Sequence, residues 1–412
     1  MSEAAAVIYG RPAEKLVAVA LTGTNGKTTA SYLLEAVLEA AGLKPGVLGT
    51  INFRWPGHVG PAPNTTPEGP VLQASLAAML AAGAKAAVLE VSSHALSLGR
   101  VAGLSFDAAL FTNLSRDHLD FHRDMEEYFQ AKRRLFVDHL KAGPRRAAPD
   151  VPAVINIDDE YGRRLAAELG GRALTFGFAP EAAVRGRNLS VGREGLAFTI
   201  ESPFGDWEQT SPLLAEVNAY NLLGAAALSL ALGLKSEVVR TALALTTGAP
   251  GRLERVGENS DYLVLIDYAH TPDALEKTLR AGRDLEPQRL LAVFGCGGDR
   301  DRGKRPLMGR LGGELADMAI ITSDNPRTEE PWSIMSEVEA GLAGLGLQKY
   351  EAGELAADDW NAGAYMMIMD RRAAIREAAR LMNPGDVLIV AGKGHEDYQI
   401  IGREKRPLDD RA

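Results

Sequence analysis

An apolar run, Leu16-Val17-Ala18-Val19-Ala20-Leu21, leads straight into Gly23-Thr24-Asn25-Gly26-Lys27-Thr28-Thr29, after which a helical pattern begins. A strand that ends in a glycine-rich turn and opens a helix demands an α/β sheet with ligands at its strand ends. Backbone N–H groups of such a turn wrap phosphate oxygens, aided by the positive end of the helix dipole. Lys27 reaches the terminal phosphates, and the Thr28 hydroxyl suits Mg²⁺. Residues Gly23, Thr24, Asn25, Gly26, Lys27, Thr28 and Thr29 are therefore read as a nucleoside triphosphate site. The spacing is shorter than the usual G-x-x-x-x-G-K-[ST], which narrows the family.

Short apolar runs and helical patterns continue to alternate. Leu33, Leu34, Val37, Leu38 and Ala41 recur at helical spacing until Gly42 and Pro45. Strands are expected at residues 47–51, 86–91, 108–112 and 151–157, and helices at 72–80, 125–135, 221–232 and 237–245. Residues 172–210 have little helical signal and are expected to form β-hairpins at one edge. Thr247-Gly248-Ala249-Pro250-Gly251 is the best linker, dividing the chain into residues 1–247 and 248–412. Beyond it, residues 262–267, 290–295, 318–322 and 387–391 read as strands buried on both faces of a parallel sheet. Each leads into a polar cluster, and four such strand ends point to one site, expected to face the phosphate loop across an interdomain cleft. The fold expected is a P-loop ATPase domain with a mostly parallel sheet, followed by a C-terminal Rossmann-like α/β domain.

The bulk properties exclude several classes. With 412 residues, 46% of them hydrophobic, the chain can bury two or three cores. A formal net charge of −9 argues against a nucleic-acid or anionic-membrane surface. The single cysteine, Cys296, precludes an intrachain disulfide and fits a reducing cytoplasm. The N-terminus lacks a basic segment of the secretory type, and the longest charge-free apolar stretch, residues 222–234, is too short to span a bilayer. Hence no membrane insertion is expected.

Two strand ends in the first half carry chemistry. Glu90-Val91-Ser92-Ser93-His94 offers Glu90 as a Mg²⁺ ligand or a polariser of metal-bound water, with Ser92 equally readable as a plain helix N-cap. The stretch from Thr112 to His122 gathers two histidines, two aspartates and an arginine, a metal or phosphate site rather than a solvated loop. Histidine would be an unusual Mg²⁺ ligand. Lys132 taken alone reads as a surface lysine, and His58 and His139 receive no role.

Together the phosphate loop, Glu90 to His94, Asn113 to His122, Asp267 to Asp273 and Gly295-Cys296-Gly297-Gly298-Asp299-Arg300-Asp301-Arg302-Gly303-Lys304-Arg305-Pro306 resemble the Mur ligases of cell-wall synthesis. The similarity runs from about residue 9 to residue 411, and is greatest to the branch that adds the third amino acid of the peptide. It implies ATP-driven, Mg²⁺-dependent amide formation through an acyl phosphate on a D-glutamyl carboxylate. Lys27, Glu90, His118, Lys132 and His270 would be catalytic. The metal would use Thr28, Glu90, His118 and Lys132, the last as a carbamate. Asn221, Arg252 and Asp267 would complete the ATP site, with His270 beside the nucleotide. Asn64, Thr65, Thr66, Ser92 and Arg100 would hold UDP-N-acetylmuramoyl-L-alanyl-D-glutamate.

Acceptor choice would rest on Asp324, Asn325, Pro326 and Arg327, with Arg300, Gly392 and Glu396 around them. The resemblance makes these a meso-diaminopimelate motif. An arginine fork binds the second carboxylate of that amino acid bidentately, and lysine or ornithine would leave Arg327 unpaired. The bland alternative is an ordinary Asn-Pro turn.

The chain departs from the family in three places, one of them the tail, which stops slightly early at Asp409-Asp410-Arg411-Ala412. A glutamine often found two positions before the substrate arginine is Leu98 here, which puts one substrate contact in doubt. Only 22 residues precede Gly23, where relatives usually carry a uridine-binding domain. The alternatives are therefore the same chemistry on lysine, ornithine or recycled murein peptide, or a nucleotide-binding short form that is inactive or takes a partner's help with UDP. A monomer is otherwise expected. A folylpolyglutamate-synthase-like reading shares the phosphate loop but leaves Asp324 to Arg327 unexplained.

Overall fold

A computed structural model describes residues 1–140, 153–257, 261–360 and 362–412. The chain divides into two compact units, one of residues 1–190 and 195–247, the other of residues 191–194 and 248–412. No helix among the described residues is long and apolar enough to cross a membrane.

The first unit is built on an eleven-stranded sheet. Its strands are β1 (Val17–Thr22), β2 (Pro45–Leu48), β3 (Asn52–Trp55), β4 (His58–Pro61), β5 (Ala86–Glu90) and β6 (Ala108–Phe111). They continue with β7 (Ala153–Asn156), β8 (Ala173–Gly177), β9 (Val184–Gly192), β10 (Gly195–Glu201) and β11 (Trp207–Ser211). The order is β11-β10-β9-β8-β7-β6-β1-β5-β2-β3-β4. From β2 through β5, β1, β6, β7 and β8 to β9 every pairing is parallel. The central strands are apolar along their length because helices cover both faces, as parallel sheets require.

Among the described residues, seven helices of seven residues or more accompany this sheet: α1 (Ser2–Ile8), α2 (Lys27–Ala40), α3 (Gly69–Ala81), α5 (Met125–Asp138), α6 (Glu160–Leu169), α7 (Glu216–Ala231) and α8 (Ser236–Leu245). Short α4 (Ser93–Ser97) starts at Ser92, whose Oγ accepts from Ala95 N at 3.2 Å. Helix α5 is capped by Asp124, which accepts from Glu127 N at 2.8 Å, and turns Tyr128, Phe129, Leu135 and Phe136 into the core.

Most expected elements are present, with three differences. Residues 172–210 were expected as hairpins, yet β8 joins β7 and β9 joins β8 in parallel; β10 and β11 pair antiparallel at the edge. A run with weak helical signal does not disclose which way a strand will run. Pro45, expected to lie before a strand at 47–51, opens β2, where a proline at the first position forfeits no ladder bond. The strand expected at 151–157 is seen as β7; residues 151 and 152 lie outside the described residues.

The second unit carries a seven-stranded sheet: β12 (Glu254–Val256), β13 (Leu263–Asp267), β14 (Leu290–Phe294), β15 (Met318–Thr322), β16 (Gln348–Tyr350), β17 (Ala364–Ile368) and β18 (Val387–Ala391). Helices α9 (Pro272–Arg283), α10 (Lys304–Leu315), α11 (Pro331–Glu339) and α12 (Arg371–Arg380) connect them. A hairpin of β19 (Tyr398–Ile401) and β20 (Glu404–Pro407) follows. The order β12-β13-β18-β14-β15-β17-β16 inserts the last parallel strand, β18, between β13 and β14. The carboxyl ends of β13, β18, β14 and β15 therefore stand side by side.

Arg371 and Asp410 form a bidentate ion pair at 2.8 and 2.6 Å, both side chains fully buried, and Arg371 also donates to Ala391 O at 3.0 Å. Removing one partner strands a buried charge, which costs about 3–5 kcal/mol. Asp410→Ala is expected to lower the denaturant stability of this unit by that amount, measured by urea unfolding.

Candidate functional site

In the first unit the chain leaves β1, places β2 and β5 on one side of it, and returns with β6 and β7 on the other. The loop after β1 thus sits where the strand order reverses, the place where open α/β sheets bind ligands. Gly23 has φ 151° and Gly26 has φ 86°. A Cβ on Gly23 would stand 1.9 Å from Thr112 Oγ1, and one on Gly26 would stand 2.3 Å from Asn221 Oδ1. The two glycines are thus required by backbone angle and by close approach from β6 and α7. Lys27 Nζ donates to Gly23 O at 2.8 Å and Thr24 O at 3.0 Å. Asn25 N donates to Asn113 Oδ1 at 2.9 Å, tying the loop to the strand end after β6. Beside it lies a cavity of about 250 Å³ lined by Asn113, Asp158, Phe176, Tyr220 and Asn221 among others.

Glu90, at the end of β5, is 1% exposed. Its Oε2 accepts from Thr28 Oγ1 at 3.0 Å and Thr50 Oγ1 at 2.8 Å, and its Oε1 from Thr50 N at 3.1 Å. Thr50 Oγ1 is 3.1 Å from Thr65 Oγ1. Thr66 Oγ1 donates to Glu90 O at 2.8 Å and accepts from Ser92 N at 3.1 Å. Arg100 donates to Thr66 O at 3.0 Å and pairs with Glu68 at 2.6 Å. One network therefore joins Thr28 and Glu90 to Thr65, Thr66, Ser92 and Arg100; no hydrogen bond described here includes the Asn64 side chain. Thr50 was not anticipated. It follows β2, and the same strand-end logic that picked out Glu90 could have found it.

Lys132, read from sequence alone as a surface residue, is 1% exposed on α5. Its Nζ donates to Gly23 O at 2.8 Å and lies 4.7 Å from the centre of the Tyr128 ring. Burial, reinforced by Lys27, holds its pKa well below the usual lysine value. Tyr128 Oη reaches Thr24 Oγ1 at 3.1 Å. Against Tyr128 pack His118, its φ positive at 54°, and His122, which meets Ser93 Oγ at 2.9 Å. His94 touches both histidines, and burial lowers the pKa of all three.

Among the described residues no three His, Cys, Asp or Glu side chains are arranged to hold a metal ion. The oxygens of Thr28 and Glu90 nevertheless suit Mg²⁺, which takes one or two protein oxygens and keeps water or phosphate for the rest. Glu90 has no ion-pair partner among the described residues, and a buried carboxylate without one is a ready seat for a cation.

In the second unit, Asp267 at the end of β13 accepts from Leu253 N, Ala269 N and Thr278 Oγ1 at 2.8, 2.8 and 3.1 Å. Burial raises its pKa, against the pull of Arg252. The Arg252 guanidinium lies 4.9 Å from the centre of the Tyr268 ring. His270 is exposed, its Nδ1 2.9 Å from Tyr268 O, and Lys304 donates to its carbonyl at 2.6 Å.

The loop after β15 carries Asp324, Asn325, Pro326 and Arg327. Arg327 has φ 51° and is pinned to β19, its N–H donating to Ile400 O at 3.0 Å and its carbonyl accepting from Gly402 N at 2.7 Å. Its Nη1 donates to Gly298 O at 2.7 Å, and a Cβ on Gly297 would lie 2.8 Å from it. Arg327 and exposed Arg300 have no carboxylate partner among the described residues. Asn325 Nδ2 donates to Glu396 Oε2 at 3.1 Å, and Gly392, with φ 118°, stands close to Asp324. Buried Lys393 meets Asn325, Asp324 and Glu396; it was read only as part of the cluster after β18 and given no role.

Mur ligase middle domain sequences match residues 21–229, and the Mur ligase glutamate ligase domain matches residues 251–394. The UDP-N-acetylmuramoyl-L-alanyl-D-glutamate–2,6-diaminopimelate ligase of Geobacter metallireducens is 48% identical over all of this chain and 80% of its own length. The chain belongs to the Mur ligase family. As a Mur ligase it is an ATP-dependent, ADP-forming ligase. A solved diaminopimelate ligase of this kind superposes with a TM-score of 0.68 at 35% identity, covering 96% of this chain and 76% of that one. The folylpolyglutamate synthase of Mycobacterium tuberculosis, at 18% identity, shares the fold with a TM-score of 0.71 over 96% of this chain and 91% of its own. The two Mur ligase domains thus correspond to the mostly parallel sheet and the Rossmann-like sheet already described.

His395 lies in the loop after β18, its ring 5.1 Å from that of Tyr268. Burial, and then Arg252 and Arg411, lower its pKa to about 4. Its folded value lies below the unfolded one near 6.5, so the unfolded chain binds more protons between these values. Stability contributed by neutral His395 is present above about pH 6.5 and is lost as pH falls towards 4. His395→Gln is expected to flatten the dependence of the urea midpoint on pH across that window.

Proposed function

We propose that this Mur ligase joins meso-diaminopimelate to the D-glutamyl carboxylate of UDP-N-acetylmuramoyl-L-alanyl-D-glutamate in the cytoplasm, supplying peptidoglycan precursor. The observation that carries this reading is Arg327, a guanidinium held over Gly297 and Gly298 with no carboxylate partner among the described residues. The second carboxylate of diaminopimelate satisfies that fork; lysine and ornithine have none to offer. The similarity to diaminopimelate ligases over the whole chain supports it.

In this reading the phosphate loop from Gly23 to Thr29 binds ATP, with Asn221 beside it and Arg252, Asp267 and His270 serving the nucleoside. Lys27 neutralises charge on the transferring phosphoryl group. Mg²⁺ held by Thr28 and Glu90, with His118 and Lys132 contributing, would shield the phosphate oxygens. Asn64, Thr65, Thr66, Ser92 and Arg100 orient the muramoyl peptide so that its γ-carboxylate attacks the terminal phosphorus and ADP departs. The amine of the acceptor then attacks the acyl phosphate, and phosphate leaves as the amide forms. Arg300, Asp324, Asn325, Arg327, Gly392 and Glu396 hold that acceptor, Glu396 facing its distal ammonium. Carbamylation of Lys132 belongs to the same reading. Carbon dioxide adds to a neutral amine, the form that burial favours here, and the product is an anion where a cation stood.

Phosphate release from ATP and Mg²⁺ with the muramoyl dipeptide, supplied separately with diaminopimelate, lysine or ornithine, tests the function. Turnover with diaminopimelate alone is expected, with the product confirmed by mass spectrometry; turnover with lysine alone would refute it. Arg327→Ala is expected to lower kcat/KM for diaminopimelate by about 10- to 100-fold, the worth of a charge-assisted pair, leaving the KM for ATP unchanged. Equal losses in both would assign Arg327 to the fold.

A further inference from the structure

Lys393 is fully buried at the carboxyl end of β18, between Gly392 and Gly394, both of which have positive φ. Its ammonium donates to Asn325 Oδ1 at 3.1 Å and to Tyr398 O at 2.5 Å. It also stands 3.5 Å from Asp324 Oδ1 and 3.7 Å from Glu396 Oε2. Four groups, from the loops after β15 and β18 and from the start of β19, therefore converge on one ammonium that itself cannot reach solvent.

The amide of Asn325 shows what this convergence does. Its Oδ1 accepts from Lys393 and also from Ile400 N at 2.8 Å, so two donors fix which end of the amide is oxygen. The Nδ2 end is then committed to Glu396 Oε2. Asp324 Oδ1 is buried and accepts no hydrogen bond among the described residues, its one charged neighbour at that atom being Lys393. Arg371, the next cation in this region, is already bidentate on Asp410. Without Lys393, Asp324 and Glu396 would lose the one ammonium that stands within 3.7 Å of both. With it, Asp324, Lys393 and Glu396 together carry one net negative charge instead of two.

We infer that Lys393 is a positioning and specificity residue for the amino-acid acceptor: it orients Asn325 and Glu396 and sets the net charge the pocket presents. This rests on the acceptor reading given above. A pocket one unit more negative favours an acceptor of net charge +1, such as lysine, over diaminopimelate, whose two ammonium and two carboxylate groups cancel. Lys393 therefore acts against dibasic acceptors through charge, while Arg327 acts by its need for a carboxylate.

The test compares wild type with Lys393→Met in steady-state assays with full-length protein, ATP, Mg²⁺ and the muramoyl dipeptide, supplying diaminopimelate or lysine. The variant is expected to raise the KM for diaminopimelate at least tenfold and leave the KM for ATP within twofold. It is also expected to raise the ratio of kcat/KM for lysine over diaminopimelate about tenfold, which a general loosening of the fold would not do. An unchanged ratio, or KM values for acceptor and ATP that rise together, would overturn the inference and leave the function standing. Absence of diaminopimelate turnover in the wild type would overturn both. Should Lys393→Met not fold, Lys393→Gln, which keeps a donor and loses the charge, is read in the same way; failure of both to fold would make the residue structural and refute its role in specificity.

Discussion

Much of the first unit is organised around Glu90, a carboxylate buried at a strand end with three hydrogen-bond donors and no ion-pair partner among the described residues. Its side chain holds Thr28 of the phosphate loop and Thr50 of the β2 strand end, while its backbone carbonyl holds Thr66. A buried anion is costly unless it is satisfied, and three donors offset only part of that cost. The remaining deficit is what a divalent cation would fill. The same arrangement that makes the site attractive to Mg²⁺ thereby fixes the distance between the phosphate loop and the loop proposed to hold the peptide. Gly49 is required for it, since a Cβ there would stand 2.3 Å from Glu90 Oε1.

The second unit solves the converse problem with a buried cation. Inserting β18 between β13 and β14 brings the Gly392 to Glu396 loop beside the loops after β13, β14 and β15. Lys393 then neutralises part of the acidic charge that these loops would otherwise concentrate, and Arg371 does the same for Asp410. Both clusters place like-charged or polar groups close together by means of a fully buried counter-charge. Such buried pairs hold their neighbours in one arrangement, because breaking either leaves an uncompensated charge.

Periodicity and punctuation made the strand and helix alternation readable. Runs such as Leu290 to Phe294 and Val387 to Ala391 are continuous and apolar because both faces are covered, and the glycines and prolines mark the ends. The edge elements were harder to read. β3, β4, β16, β19 and β20 are short and half exposed, so their composition carries little of the core's signal. The phosphate loop, Glu90 and the Asp324 to Arg327 string stood out in the sequence as candidate sites because polar residues directly after apolar runs have few structural reasons to be there. Lys132 was not: α5 exposes one face and buries the other, and a lysine on such a helix shows its side only once the neighbours are packed.

Sequence by itself therefore determined the order of elements, the phosphate-binding turn and the kinds of side chain at each strand end, because these follow from neighbours within a few residues. Tertiary structure alone decided which strand ends stand together. The strand order around β1 unites Thr28, Glu90, Thr50 and Thr65, which lie up to dozens of residues apart. The position of β18 likewise puts Lys393 under Asn325, 68 residues away in the chain. Burial was settled at the same level, and with it the charge state favoured by Lys132 and the orientation of the Asn325 amide. Desolvation and hydrogen-bond geometry depend on every atom around a group, and a linear pattern holds no record of those atoms until the sheets have closed.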